Sequence, residues 1–150
     1  MIRGYFNSGR PSVLGLTYFV DLQQLRPVQF LIDTGADTTT IHPGDFLPLD
    51  VDPALLLRKP DSQASGIGGQ AQAWKHAALV MLLEDDLETV KVVSCNLDVA
   101  VPHQLNMSYP SLLGRDVLQH FVLTIDGNQS IRFEALDYVL TAQLPNFLRR

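Results

Sequence analysis

The sequence predicts an all-β fold, and three observations carry that expectation. Turn-forming residues recur about every eight to fifteen positions. The segments between them are rich in Val, Ile, Leu, Phe and Thr and lack an apolar repeat near 3.6 residues. In the clearest segment Val93, Cys95, Leu97, Val99 and Val101 fall on one face of a strand, and Ser94, Asn96 and Asp98 fall on the other.

In chain order, strands are expected at Val13 to Leu22, Val28 to Asp33, Thr38 to His42, Ala73 to Leu83, Glu88 to Val101, Phe121 to Asp126, Ser130 to Glu134 and Tyr138 to Gln143. The pair Phe121 to Asp126 and Ser130 to Phe133 reads as a hairpin, because Asp126-Gly127 and Asn128 supply the residues that tolerate a tight bend. One short helix is expected, from about Arg115 to His120. Between Pro43 and Gly69 the alternation lapses, and Pro43, Pro48, Pro53 and Pro60 are interspersed with Asp45, Asp50, Asp52 and Asp61. This reads as a long, partly ordered connection, of a length that usually serves function. No repeat or composition break divides the chain, so residues 1–150 are expected to form one domain.

Composition narrows the functional classes. With 46% hydrophobic and 18% charged residues in 150 positions, the chain has enough apolar surface for a packed core, which excludes wholesale disorder. The longest uninterrupted apolar run, Ala77 to Leu83, is far short of the roughly 20 residues that a membrane helix needs. A net charge of −5 disfavours nucleic acid and anionic lipid, so neither nucleic acid nor membrane is expected as a partner. Cys95 is the sole cysteine, which permits no internal disulfide and fits a reducing compartment. Its place in an apolar row marks it as structural rather than nucleophilic. The segment after Met1, Ile2 to Asn7, lacks the apolar core of a secretory signal, and a cytoplasmic location is expected. The sequons at Asn106 and Asn128 would matter only in a secreted protein and are given no weight.

Three segments carry chemistry. In Phe30-Leu31-Ile32-Asp33-Thr34-Gly35-Ala36-Asp37 an apolar strand runs straight into a carboxylate. The strand end would place Asp33 at a low-dielectric boundary, Thr34 offers a hydroxyl, and Gly35 lets backbone approach the carboxylate. An ordinary strand followed by an Asx-type turn fits this segment equally well by itself. In Pro110-Ser111-Leu112-Leu113-Gly114-Arg115-Asp116-Val117-Leu118 a short buried strand turns at Gly114 into a helix. A cation in the first turn of a helix is mildly unfavourable, so Arg115 is expected to have a specific partner, with Asp37 the natural candidate. The third segment, Ser65-Gly66-Ile67-Gly68-Gly69-Gln70, is expected to be a hairpin tip. Gly66-Ile67-Gly68-Gly69-Gln70-Ala71 formally matches a dinucleotide-binding pattern, but no buried strand precedes it, so that reading is rejected.

In this order the three segments resemble the retropepsin-like aspartic proteases, the retroviral proteases and their cellular relatives. The resemblance covers most of the chain. It implies an acid-protease, closed β-barrel-like fold with a short helix behind the Leu-Leu-Gly-Arg-Asp motif and a glycine-tipped flap. Asp33 would be the catalytic aspartate, Thr34 would brace the two catalytic loops across a dimer, and Gly35 would form part of the bed under the substrate. Ala36 and Asp37 would contact the substrate, with Asp37 also pairing with Arg115. Gly66, Ile67, Gly68 and Gly69 would cover a bound peptide, and Leu112, Leu113, Gly114 and Arg115 would support the site. The chain departs from the compact viral pattern in its longer interval from Asp33 to Gly114 and in its extra hairpin and strand after Phe121. The dimer interface is therefore expected near Tyr138 to Gln143 and the apolar tail Leu144 to Leu148.

The implied function is peptide-bond hydrolysis by water activated between two carboxylates, one Asp33 from each copy of a homodimer. Ala36, where pepsin-type sites carry a hydroxyl residue, points to a mildly acidic optimum, above about pH 3. The alternative is a retropepsin-fold binding or scaffold module without catalysis. No metal or cofactor is expected. His42, His76, His103 and His120 are widely spaced and read as surface or turn residues, and no Walker lysine or G-x-S-x-G elbow is present. Trp74 reads as an ordinary strand aromatic.

Overall fold

The computed structural model describes residues 1–66, 69–127, 130–144 and 146. Its strands are β1 (Ile2–Asn7), β2 (Arg10–Phe19), β3 (Gln24–Ile32), β4 (Thr40–Ile41), β5 (Ser62–Gly66), β6 (Gly69–Leu83), β7 (Thr89–Ala100), β8 (Ser111–Leu113), β9 (Phe121–Asp126), β10 (Ser130–Ala135) and β11 (Leu140–Gln143). Three one-turn helices join them: α1 (Pro43–Phe46), α2 (Pro53–Leu56) and α3 (Arg115–Leu118).

The strands form one sheet in the order β5-β6-β7-β4-β8-β3-β2-β1-β10-β9, and an additional β6–β2 pairing closes β6-β7-β4-β8-β3-β2 into a ring. The result is a small barrel whose interior is filled by side chains, among them Phe19, Phe30, Trp74, Leu82, Leu97 and Leu113, each at most 2% exposed. β8 runs parallel to β3 and antiparallel to β4, so it lies between two strands that are consecutive in sequence. The segment joining β3 to β4 must therefore pass over the end of β8, and this crossing carries Asp33.

The eight expected strands are all present with ends shifted by a few residues, and β8 occupies the expected buried turn before Gly114. The expectation of a single helix is corrected by α1 and α2. Both lie in the stretch from Pro43 to Gly69 and are too short to display a helical repeat. Each starts with a proline at its first position, and Asp52 caps α2 by accepting from the Ala54 N–H at 3.0 Å. β5 in the same stretch was also unexpected. So was β1, whose inward row is interrupted by Gly4. A Cβ there would lie 2.6 Å from the Ser12 carbonyl oxygen, so close strand packing removes the side chain that would have marked the pattern.

Trp74 is buried, and its indole N–H donates to the Arg58 carbonyl at 2.9 Å. Cys95 is half-buried against the core; burial, reinforced by the charge of Asp116, pushes its thiol up to about 12, which keeps it protonated. His76 is not a surface residue: it is 6% exposed and packs against the rings of Phe19 and Phe46 at 6.5 and 5.7 Å. Among the described residues no helix is long and apolar enough to cross a membrane.

Candidate active site

Asp33 sits one residue beyond β3. Its N–H donates to the Leu113 carbonyl at 3.0 Å, which carries the β3–β8 pairing past the strand end. Its carboxylate Oδ1 accepts from the Gly35 N–H at 3.0 Å, and its carbonyl accepts from the Ala36 N–H at 3.2 Å. The Asp-Thr-Gly tripeptide is thus a tight turn that wraps back on one oxygen of the carboxylate. Asp33 is half-buried, and Thr34 and Gly35 are exposed.

The rest of the loop is held from the other side of the fold. The N–H groups of Arg115 and Asp116 donate to the carbonyls of Ala36 and Asp37 at 2.8 and 3.2 Å. The Asp116 carboxylate accepts from the Thr39 N–H at 2.9 Å, the Thr39 hydroxyl at 2.6 Å and the Val117 N–H at 2.9 Å. Thr39 Oγ1 accepts in turn from the Gly114 N–H at 3.1 Å, and Thr39 is fully buried. Gly114 is required by contact, because a Cβ would stand 2.6 Å from the Thr38 carbonyl carbon and 2.9 Å from the Thr39 nitrogen.

Arg115 pairs with Asp37 through its guanidinium, as the helix-dipole argument anticipated. Both side chains are well exposed, so the pair orients the loop surface more than it stabilises the fold. A depression of about 630 Å³ opens here, lined by Thr34, Asp37, Arg115, Asp116, Leu118, Gln119 and Leu123. Leu113 is buried and Leu112 half-buried; Leu112 pairs with Leu31 on one side and Thr40 on the other.

Gly66 and Gly69 pair as the outermost rung of the β5–β6 hairpin, and Ile67 and Gly68 lie outside the described residues. The base of the hairpin is anchored by polar contacts. Asp98, 6% exposed, pairs with Lys75 Nζ at 2.7 Å and accepts from the Ser62 hydroxyl at 3.1 Å. Asp61 accepts from the Lys75 N–H at 2.9 Å and pairs with Arg58 at 3.2 Å.

The structure therefore gathers Asp33, Thr34, Gly35, Ala36, Asp37, Gly114 and Arg115 into one crossing, while Gly66 and Gly69 belong to a separate hairpin. Sequence reasoning missed Thr39 and Asp116 as bracing residues. A carboxylate in the first turn of a helix could have flagged Asp116, but nothing in Thr38-Thr39-Thr40 distinguishes the one hydroxyl that is fully buried. Among the described residues no group of His, Cys, Asp and Glu side chains is arranged to hold a metal ion.

Comparison with known proteins gives the same outline. The fold is similar to that of a retropepsin-like aspartic protease from Rickettsia conorii, with a TM-score of 0.55 and 18% identity over 96% of this chain and 92% of that one. The EIAV protease complexed with the inhibitor HBY-793 also matches, with a TM-score of 0.46 and 21% identity over 73% of this chain and 86% of that one. No curated protein sequence gives a match. The sequence profile of the retroviral aspartyl protease family matches residues 16–126, which contain the Asp33 crossing, the β5–β6 hairpin and the Gly114 turn, and the chain belongs to that family.

Proposed function

We propose that this chain is an aspartic endopeptidase that acts as a homodimer, each copy contributing Asp33. The observation that carries the proposal is the Asp33 turn itself: a carboxylate at the mouth of a buried strand, with one oxygen held by the Gly35 N–H, in a loop clasped by Gly114, Arg115 and Asp116. Such bracing holds a group in place before substrate arrives, which is what acid–base chemistry on a peptide bond requires.

Two carboxylates a few ångströms apart cannot both be charged, so in the dimer they share a proton. The charged member removes a proton from water as it attacks the peptide carbonyl. The protonated member polarises the carbonyl oxygen, and a proton is then passed to the departing amine. Thr34 would brace the two loops across the dimer, and Ala36 and Asp37 would lie along the substrate main chain. Gly66, Ile67, Gly68 and Gly69 would form the tip of a flap over the peptide, with Leu112, Leu113, Gly114 and Arg115 supporting the catalytic loop. Residues 1–150 would form one such domain, working without a cofactor on a peptide or protein substrate in the cytoplasm.

The test is incubation with a diverse peptide library between about pH 3 and 7, the range in which carboxylate pairs of this kind operate. Wild type should cleave with a mildly acidic optimum, and Asp33→Asn should lose at least about a hundredfold in rate. Equal cleavage by the Asp33→Asn protein would falsify the assignment. A folded, dimeric wild type that cleaves nothing and retains no statine-type inhibitor would favour a binding module instead.

A further inference from the structure

The Asp33 carboxylate stands at one end of a continuous row of side chains. Leu31 pairs with Leu112, Leu112 with Thr40, Thr40 with Asp98 and Asp98 with Lys75, across β3, β8, β4, β7 and β6. Residues paired in this way share a face of the sheet. Their neighbours in the chain, Ile32, Leu113, Ile41 and Val99, are buried in the barrel, so the row lies on the opposite, outward face. Asp33 follows Leu31 by two residues and continues the β3–β8 pairing, which puts it on that same face. At its far end the row reaches the base of the β5–β6 hairpin, where the Ser62 hydroxyl also donates to Asp98.

The row changes character along its length. Leu31 and Leu112, beside Asp33, are apolar, Thr40 carries a hydroxyl, and the far end is the ion pair of Lys75 with Asp98 at 2.7 Å. The two members of that pair are not equally accessible: Asp98 is buried, whereas the Lys75 side chain is 34% exposed. An ammonium has three donors, so Lys75 can serve Asp98 and still present positive charge to a molecule lying over the row. Three strand spacings separate Leu31 from Asp98, about 14 Å at roughly 4.8 Å each. An extended peptide covers that distance in about four residues.

We propose that Lys75 is a specificity-determining residue that takes the carboxylate of a substrate Glu or Asp about four positions from the bond on which Asp33 acts. The inference rests on the protease reading and adds a substrate class to it: peptides apolar at the scissile bond, over Leu31 and Leu112, and acidic further out. In a two-fold symmetric dimer each end of the peptide meets one such row, so an acidic residue on either side is recognised. Asp98 is the positioning residue. It holds the ammonium at the end of the row, where the flexible lysine stem would otherwise carry it into solvent.

The test uses extended peptides with a central Leu-Phe pair that carry Glu, Gln or Lys at the third to fifth position on either side. Binding to the full chain bearing Asp33→Asn is followed by fluorescence anisotropy, and cleavage by wild type is measured separately, at about pH 6 where Glu is ionised. Glu peptides should bind and be cleaved about three- to fivefold better than their Gln counterparts, with Lys peptides worse than either and the preference shrinking in high salt. Lys75→Arg should keep the preference. Lys75→Gln combined with Asp98→Asn removes both charges together and should bring the Glu-to-Gln ratio to about one. Being a ratio, it is not moved by a loss of folded protein. A wild type that does not favour Glu, or a double variant that keeps the preference, would overturn the role of Lys75 and leave the protease reading standing wherever cleavage is seen. Preferential binding of Glu peptides without any cleavage would uphold the Lys75 site and overturn the protease reading.

Discussion

The crossing that carries Asp33 and the hairpin formed by β5 and β6 are both loop-like excursions from the barrel, yet they are held in opposite ways. The crossing is stitched along its length. Asp33, Ala36, Asp37 and Thr39 each bond to residues between Leu113 and Asp116, and the central hydroxyl is fully buried. Among the described residues the hairpin is fastened at its base, by Trp74, Asp61 and Asp98. Beyond that base, among the described residues, β5 and the first residues of β6 pair with each other and gain one further bond, from the Val101 N–H to the Gln72 carbonyl at 2.9 Å, and a two-stranded ribbon has little stability of its own. One region is held along its length and the other at its base. Under the proposed function that division would keep Asp33 fixed while a long substrate enters and leaves.

The strongest challenge to this contrast is Asp116→Ala. It removes the acceptor for three donors, of which those on Thr39 have no other route to water, and should cost about 3 kcal/mol in urea unfolding. Cleavage should fall with it, since the loop bearing Asp33 loses its clasp. A stability change below about 1 kcal/mol would show that the crossing is not the rigid partner. Next in size is Lys75→Ala, which among the described residues leaves the buried Asp98 carboxylate with the Ser62 hydroxyl. The expected loss is about 2 kcal/mol, less than for a fully buried pair because Lys75 is partly exposed. Hydrogen exchange should quicken first in β5 and the adjoining part of β6; uniform acceleration across the barrel would count against an independently anchored hairpin.

The smallest effect concerns acidity at the hairpin base. His76 lies there between Phe19 and Phe46, and among the described residues its Nδ1 has no hydrogen-bond partner. Burial lowers its basicity, as does the nearby charge of Arg58, against weaker opposing contributions from Asp21 and Asp61. The unfolded chain therefore takes up a proton at a higher pH than the folded one. Stability is fully present above about pH 6.5 and is lost as the pH falls below it. His42 is shifted in the same direction, mainly by burial, so His76→Phe should remove part of the acid-side loss and not all of it. Melting temperatures across this range for the two proteins provide the check, and identical slopes would absolve His76.

How much could be read in advance follows from the range over which each signal acts. The alternation of Val93, Leu97 and Val99 is local and fixes β7 directly, and the run Phe30-Leu31-Ile32 before Asp33 likewise announces β3. The Arg115–Asp37 pair was legible because a cation misplaced on a helix dipole calls for a partner. Thr39 was not legible, since its burial depends on a carboxylate 77 residues away and nothing beside it in the chain records that contact. His76 was missed for a related reason: its polarity reads as surface, while its neighbours Phe19 and Phe46 come from other elements. The one-turn helices were hidden by length, although Asp52-Pro53 was a usable start signal.

The threading of β8 between β3 and β4 also orders events in time. During synthesis the Asp33 loop leaves the ribosome well before Ser111 to Asp116, the segment that props it. Pairing across so long an interval is slow, because the intervening chain must be closed into a loop first. Until then Asp33 has neither the Leu113 carbonyl behind it nor the Asp116 clasp beside it. A nascent or truncated chain would therefore display the complete Asp-Thr-Gly signature without the geometry that gives it meaning. The late arrival of a three-residue strand acts as a built-in delay on the emergence of the site.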